Sequence, residues 1–180
     1  MSKANYKHRI KIGLTFLSLL ILGFLLWKGL GRNPHLLPST LIDKPFPQFS
    51  EQNLFLSKGD ITSDIFKGHI TLLNVFATWC VSCQAEHSVL KEIAASQQVE
   101  LVGLNYKDKR ENTLAWLKQR GNPYREIIFD SEGKLAIDLG VYGTPESYLI
   151  DREGRVRYRH VGPLSPDDWE NAMLPLVRKI

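Results

Sequence analysis

The stretch TWCVSCQAEH, residues 78–87, holds both cysteines of this 180-residue chain, Cys80 and Cys83. It follows an apolar run at residues 69–76 (HITLLNVF), a pattern typical of a strand that is buried on both faces. Residues 84–97 come next and have apolar side chains at helical spacing. The sequence therefore predicts that the two cysteines lie where a buried strand passes into a helix.

The chain beyond residue 97 continues this alternation of strands and helices. Short apolar runs bounded by turn residues predict two more strands and then a hairpin, at residues 99–106, 126–129, 147–151 and 155–161. A short helical piece falls at residues 134–139, before the hairpin. This order predicts an α/β domain with a mixed sheet that is covered by helices on both faces.

Two further helices have recognisable ends. Asp108 with Glu111 three residues later has the spacing of an N-terminal cap, and the helix that follows stops at Gly121. Near the C-terminus, Ser165 is a cap residue and Pro166 suits the first helical position. We therefore predict one helix on each side of the last three strands.

Two cysteines three positions apart could serve three purposes. A structural disulfide would stabilise little, because the effect grows with the length of the closed loop. A zinc site would need two further ligands, and the sequence offers no other cysteine and no paired histidine motif, although His87 lies close. A redox dithiol fits the position best, since the N–H groups and dipole at a helix N-terminus favour a thiolate at Cys80. On this hypothesis Cys80 attacks a substrate disulfide and Cys83 resolves the mixed disulfide.

The N-terminal segment predicts a membrane helix. Residues 12–27 carry no charge, and the run through Leu30 has 19 residues if Lys28 snorkels, which is just enough to cross roughly 30 Å of hydrocarbon. Four basic residues precede it and place the N-terminus in the cytoplasm, with the rest of the chain outside. A cleaved signal peptide is the alternative, but its apolar region would be about 7–15 residues long. We therefore expect an uncleaved anchor.

These features divide the chain into a basic cytoplasmic N-terminus (1–11), a transmembrane anchor (12–30), a proline-containing tether (31–45) and one domain (46–180). Residues 1–32 hold six basic and no acidic side chains, so the remaining 17 basic and 19 acidic residues carry a net charge of −2. The positive charge belongs to the leader, which argues against a nucleic-acid surface on the domain.

Several stretches, in this order, resemble one family. From about Lys44 onwards the chain is similar to thioredoxin-like domains and, more narrowly, to the CcmG/DsbE family of cytochrome c maturation. The matching stretches are LLNVFATWCVSCQAEH, NYKD, GNPY, DLGVYGTPE and YRHVGPL. The resemblance implies a periplasmic reductant in the bacterial inner membrane that reduces the haem-binding cysteines of apocytochrome c, directly or through a partner thiol protein. It also implies a transmembrane electron donor that keeps the pair reduced, and we expect no cofactor.

The resemblance also assigns residues. Cys80 becomes the nucleophile, Cys83 the resolving thiol and Trp79 an aromatic wall beside them. Pro145 falls where thioredoxin-like proteins keep a cis-proline that faces the disulfide, although a turn before an edge strand is the simpler interpretation. With a cis bond, the backbone of Thr144 would be free to pair with an extended substrate peptide.

The sequence departs from the thioredoxin pattern at the acid. Asn74 stands where thioredoxin has a buried aspartate, six residues before the first cysteine, and it cannot titrate. A carboxylate that handles the proton of Cys83 would then come from Glu86, three residues later on the same helix face, or from Glu146, beside the expected cis-proline. For each, the alternative is a solvated surface acid. Val81-Ser82 replaces the Pro-Thr typical of the family, which affects the redox poise and not the chemistry.

We therefore expect a membrane-anchored, periplasm-facing thiol–disulfide oxidoreductase of thioredoxin fold that works in the reducing direction. Three alternatives stay open: a general disulfide exchanger or oxidant of the same fold, a copper-delivery protein, and a non-catalytic module that docks partners. The C-x-x-C spacing and the presence of only two methionines count against the copper class.

Overall fold

The computed structural model describes residues 3–30 and 41–180, and the chain divides into two compact units, residues 1–37 and 38–180. In the first unit, helix α1 (Lys3–Leu30) is continuous, and its segment Lys11–Lys28 is long and apolar enough to cross a membrane. The expected apolar helix is present, and it extends back into the basic segment. Residues 31–40 of the predicted tether lie outside the described residues.

The second unit is built on a five-stranded mixed sheet. Its strands are β3 (Thr71–Phe76), β4 (Glu100–Tyr106), β5 (Glu126–Asp130), β6 (Glu146–Ile150) and β7 (Val156–Val161), and their order across the sheet is β5–β4–β3–β6–β7. Strand β3 pairs in parallel with β4 and antiparallel with β6, while β5 extends the parallel side and β7 the antiparallel side. The predicted strands and the mixed sheet are confirmed, with ends that differ by at most two residues.

Helices pack on both faces of this sheet, as predicted. They are α2 (Val81–Ser96), α3 (Arg110–Arg120), α4 (Lys134–Asp138) and a C-terminal segment made of α5 (Pro166–Asp168), a π-helical turn (Trp169–Met173) and α6 (Leu174–Val177). Successive side chains of β3 enter different cores, because a strand presents alternate residues to opposite faces. Leu72 and Phe76 join α2, α3 and the C-terminal segment, whereas Leu73 and Val75 join α4.

Of the two predicted helix caps, the one at the start of α5 is present and the one at the start of α3 is not. Ser165 forms a capping box with Asp168 at the start of α5, and Pro166 occupies the first turn, so that prediction is confirmed. The prediction that Asp108 caps α3 is wrong. The N-cap residue is Lys109, which makes no side-chain cap bond. The Asp108 carboxylate instead accepts from the N–H and hydroxyl of Thr78, in a different part of the chain.

A small antiparallel hairpin precedes the sheet and was not predicted. Its strands, β1 (Ser50–Gln52) and β2 (Asp60–Thr62), have three residues each. Arg110 at the start of α3 fixes the segment after β1 by donating to the backbone carbonyls of Asn53 and Leu54. The same guanidinium lies 4.1 Å from the centre of the Phe129 ring. The hairpin is therefore held to the β5 side of the sheet by side chains distant in sequence.

Candidate active site

The two cysteines lie at the N-terminus of α2, immediately after the central strand β3. Cys80 is the N-cap residue, and the N–H of Cys83 donates to its sulfur at 3.1 Å. The two residues are joined by a disulfide, with their Cα atoms 5.3 Å apart. Because an N–H at a positive helix end stabilises negative charge, a thiolate at Cys80 would be favoured here.

The cysteines are largely covered, but the rim around them is open. Cys80 is 6% exposed and Cys83 is 2% exposed, so Cys80 is the more accessible of the two. Trp79 and Val81, on either side of Cys80, are 57% and 80% exposed. The Trp79 indole N–H donates to the carbonyl of Lys107 at 3.0 Å, which fixes the ring beside the disulfide. The disulfide is therefore bordered by apolar side chains that face the solvent.

The turn that carries these residues is anchored by Asp108, from the NYKD stretch after β4. Its carboxylate accepts from the Thr78 N–H at 2.6 Å and from the Thr78 hydroxyl at 3.0 Å. It also accepts from the Lys109 N–H at 2.7 Å. The Gln84 side chain donates to the Thr78 carbonyl at 3.3 Å from the other side. Asp108 thus sets the position of the residue two before Cys80.

The loop before β6 closes over the first cysteine. The Thr144–Pro145 peptide bond is cis, and the Thr144 carbonyl oxygen lies 3.5 Å from the Cys80 sulfur. The Pro145 carbonyl accepts from the Gly162 N–H at 3.0 Å. The backbone of Thr144 therefore lies against the cysteine that the sequence marks as the nucleophile.

Glu86 is buried and hydrogen-bonded below the disulfide, one helical turn after Cys83. It is 1% exposed, so the alternative of a solvated acid is wrong. One carboxylate oxygen accepts from the Asn74 amide at 2.8 Å, and the other accepts from the Leu164 N–H at 2.7 Å. Burial raises the pKa of Glu86 to about 7, although these two donors oppose the rise. The group therefore changes protonation near neutral pH.

Asn74 connects Glu86 to a wider polar network inside the core. Its amide nitrogen also contacts the Ser147 hydroxyl at 3.1 Å, and its carbonyl oxygen accepts from the Tyr124 hydroxyl at 2.8 Å. Burial raises the pKa of Tyr124 well above its ordinary value, with a further rise from the Glu86 carboxylate. Tyr124 therefore remains a donor, and this fixes the Asn74 amide with its N–H groups toward Glu86 and Ser147.

Glu146 is also buried, at 1% exposure, and for it too the solvated alternative is wrong. One oxygen accepts from both Nε and Nη2 of Arg159, at 2.9 and 2.7 Å, and from the Tyr148 hydroxyl at 2.9 Å. The other oxygen accepts from the Tyr142 N–H at 2.8 Å. Burial and the neighbouring carboxylate raise the pKa of Tyr148, so its hydroxyl stays a donor. Glu146 is thus fully engaged by its neighbours.

The structure gathers Trp79, Thr144 and Pro145 around the disulfide and places Glu86 beneath it. Sequence reasoning missed Asp108, Tyr124 and Arg159. Their signal was present, because each lies in a family-like stretch (NYKD, GNPY and YRHVGPL) to which no role at the redox site was assigned. In the described parts of the chain, no group of three or more His, Cys, Asp or Glu side chains is placed to hold a metal ion.

Comparison with known proteins relates most of the chain to thiol–disulfide chemistry. Residues 42–173 match the Redoxin family. The thiol:disulfide interchange protein DsbE of Escherichia coli K12 is 44% identical over 178 residues, which cover 96% of each chain. DsbE of Vibrio cholerae is 46% identical over 150 residues, covering 83% of this chain and 81% of that protein.

Solved structures show the same fold. The crystal structure of a candidate DsbE protein of Chlorobium tepidum superposes with a TM-score of 0.63 at 26% identity, covering 74% of this chain and 94% of that chain. A secreted thiol-disulfide isomerase of Corynebacterium glutamicum gives a TM-score of 0.68 at 21% identity, covering 82% and 96%. The second likeness is one of fold alone.

Proposed function

The chain belongs to the Redoxin family and, within it, to the DsbE thiol:disulfide interchange proteins, and from this membership we propose that it reduces the haem-binding cysteines of apocytochrome c, or a partner thiol protein that acts on them. The protein is a thiol–disulfide oxidoreductase with a Cys80–Cys83 redox pair. We further propose that the domain lies in the periplasm and that α1 anchors it in the inner membrane. A transmembrane electron donor would keep the cysteine pair reduced.

One observation carries the proposal: the Cys80 sulfur lies between a helix N-terminus and the backbone of Thr144, below an exposed apolar rim. An extended peptide with a disulfide can approach this sulfur and add to the Thr144 backbone as a strand would. The C-x-x-C-H motif of haem attachment provides such a peptide, with two cysteines close in sequence.

The reaction transfers two electrons from the dithiol to the substrate disulfide. The Cys80 thiolate attacks one substrate sulfur, forms a mixed disulfide and releases the other substrate sulfur as a thiolate. The Cys83 thiolate then attacks the Cys80 sulfur, forms the Cys80–Cys83 disulfide and releases the second substrate thiolate. The two protons of the dithiol pass to the substrate thiols, and the external dithiol donor resets the pair.

Glu86 supports the reducing direction. Residues three apart on a helix are neighbours, so we assign the Glu86 carboxylate as the base that takes the proton from Cys83. A base with a pKa of about 7 is suited to this step at neutral pH. Its negative charge also raises the pKa of a nearby thiol and so disfavours the thiolate form. Because stabilised thiolates make oxidants, a site with this carboxylate favours reduction of the substrate.

The test is to trap partners in membranes with Cys83→Ala, which stops the reaction at the mixed disulfide. We expect reducible adducts through Cys80 with apocytochrome c or its maturation thiol protein, and none with the matched Cys80→Ala/Cys83→Ala control. The proposal is overturned if no adduct forms and a Cys80→Ala strain still assembles cytochrome c normally. A reduction potential near the value of about −120 mV typical of strong oxidants would overturn the reducing direction.

A further inference from the structure

A buried ion pair adjoins the loop before β6 and has no role in the electron transfer described above. Arg159 on β7 and Glu146 on β6 are 5% and 1% exposed at their side chains, and their closest atoms are 2.7 Å apart. Two buried charges are costly to desolvate and are stable only as a pair. Such a pair at the edge of a redox site calls for a physical reason.

The pair lies on the opposite face of the sheet from the cysteines. Side chains alternate along β6, and Ser147 points toward Asn74 and the α2 face. Glu146 and Tyr148 therefore point to the other face, where Tyr148 belongs to the core formed with α4. Arg159 is directly opposite Tyr148 in the sheet register and shares that face. This placement separates Glu146 from Cys83 and from proton transfer at that thiol.

The pair instead holds the loop of residues 140–145 at three points. The Tyr142 N–H donates to Glu146 at 2.8 Å. Arg159 donates through Nη2 to the Gly140 carbonyl at 3.0 Å, and its guanidinium lies 4.6 Å from the centre of the Tyr142 ring. The planar guanidinium of Arg159 makes the last two contacts while it also bonds Glu146, a combination that a lysine ammonium cannot reproduce.

This loop carries the backbone that touches the nucleophile. It runs from the end of α4 to the start of β6, and the Thr144 carbonyl oxygen near its end is 3.5 Å from the Cys80 sulfur. Val141 packs against the core and Pro145 is buried, whereas Tyr142 and Gly143 between them are exposed. The path of this exposed part, which leads into Thr144, therefore depends on the bonds from Glu146 and Arg159.

We propose that Arg159, through its ion pair with Glu146, is a positioning residue that holds the 140–145 loop in place to receive an extended peptide beside Cys80. The inference rests on the proposed attack by Cys80, but not on the identity of the substrate. It predicts a division between substrates. A peptide disulfide needs the loop as a platform, whereas a small aromatic disulfide needs only an accessible sulfur.

The experiment measures single-turnover rate constants of the reduced full-length chain in detergent. Two oxidised synthetic peptides, C-x-x-C-H and the same peptide without its histidine, are compared with 5,5′-dithiobis(2-nitrobenzoate). We expect Arg159→Gln to slow both peptides about tenfold, as a small misplacement of a reacting group does, and to change the small disulfide less than twofold. Arg159→Lys keeps the charge beside Glu146 and is the safer variant for folding. It should slow the reaction with the peptides about threefold.

Arg157→Gln is the matched control. Arg157 lies two residues earlier on β7, is partly exposed and pairs with Asp43 at 3.1 Å, so its loss should leave both classes of substrate unchanged. Equal slowing of peptides and small disulfide by Arg159→Gln, or no slowing of either, overturns the inference. The cytochrome c proposal fails separately, when Cys83→Ala traps no adduct in membranes and a Cys80→Ala strain still assembles cytochrome c normally.

Discussion

Two buried glutamates near the disulfide differ in what surrounds their charge. The donors to Glu86 are an amide and a backbone N–H, both neutral. Glu146, in contrast, receives two bonds from the Arg159 guanidinium. A buried carboxylate without a cation resists ionisation, so Glu86 has the character of a titrating group. Glu146 is held by the Arg159 guanidinium and serves as an anchor for its neighbours.

The pKa of Glu86 makes stability depend on pH. Its folded value of about 7 lies above the ordinary value of 4.5, so between these the folded chain holds a proton that the unfolded chain has released. The contribution of Glu86 to the free energy of unfolding should fall by roughly 3 kcal/mol as pH rises from about 4.5 to about 7, and then level off. Burial lowers the pKa of His87, which contributes the opposite trend, so the difference between the wild type and Glu86→Gln gives the contribution of Glu86. Glu86→Gln should remove this fall. Urea unfolding of the full-length chain in detergent, at several pH values from 4.5 to 8, measures it.

Glu92→Gln is the control for this prediction, because Glu92 is exposed on the same helix. That variant should keep the pH dependence of the wild type. A slope in Glu86→Gln equal to that of the wild type would show that another group carries the titration.

The sequence could nominate Glu86 but not its environment. Helical spacing put Glu86 on the face of Cys83, and this needed no tertiary information. Its partners Asn74 and Leu164 are 12 and 78 residues away, so only the folded sheet brings them together. Which of the two glutamates lies on the same side of the sheet as Cys83 also depended on the fold. Glu146 points away from α2 because of its position in β6, and a shift of one residue in the register of β6 would turn it toward α2.

At the scale of elements, the contact between β3 and β4 makes room for the polar network. Gly103 on β4 is opposite Asn74 on β3. A Cβ atom at Gly103 would lie 2.8 Å from Phe76 Cε1 and 3.2 Å from Tyr124 Cγ. These two rings stack with centroids 4.8 Å apart, and this stacking puts the Tyr124 hydroxyl on Asn74. The rings of Phe76 and Tyr124 thus occupy the space that a side chain at position 103 would fill.

Gly103→Ala should therefore push the rings apart and destabilise the domain by about 1–3 kcal/mol, as overpacking of a tight core does. Urea unfolding at pH 7 provides the measurement. Gly143→Ala is the control, because a Cβ atom there meets nothing within 4 Å. Adding Phe76→Leu to Gly103→Ala should recover part of the loss, and an unchanged stability in Gly103→Ala alone would refute the packing argument.

Elements with long periodic patterns were predictable, and those held by distant side chains were not. Strand β3 and helix α2 follow from apolar spacing over 6 and 16 residues. The hairpin of β1 and β2 has three-residue strands, which is too short for alternation to be seen. Asp108 has the right chemistry for a cap but bonds Thr78, because a tertiary partner competes with the local one.

At the scale of the whole molecule, α1 differs from every helix of the domain. Within Lys11–Lys28 no part of the helix is buried, and its apolar side chains are exposed all round. A helix that is apolar on every side is stable in a lipid environment. We propose that α1 is the anchor and that the domain is periplasmic. A covalent link to the membrane would keep the redox pair at a high effective concentration near a membrane-bound electron donor.

Placing charges in the apolar part of α1 should release the chain from the membrane. Leu19→Arg/Leu20→Arg places two charges near the middle of α1, where each costs about 2.5–3.5 kcal/mol. We expect the wild type to stay in the membrane pellet after carbonate extraction as an uncleaved 20.6 kDa chain, and the double variant to appear in the supernatant. Leu19→Ala/Leu20→Ala should remain in the pellet.

Protease should digest the domain after the outer membrane is opened, but not in intact cells. A shorter wild-type chain in the soluble periplasmic fraction would establish a cleaved signal peptide in place of the anchor.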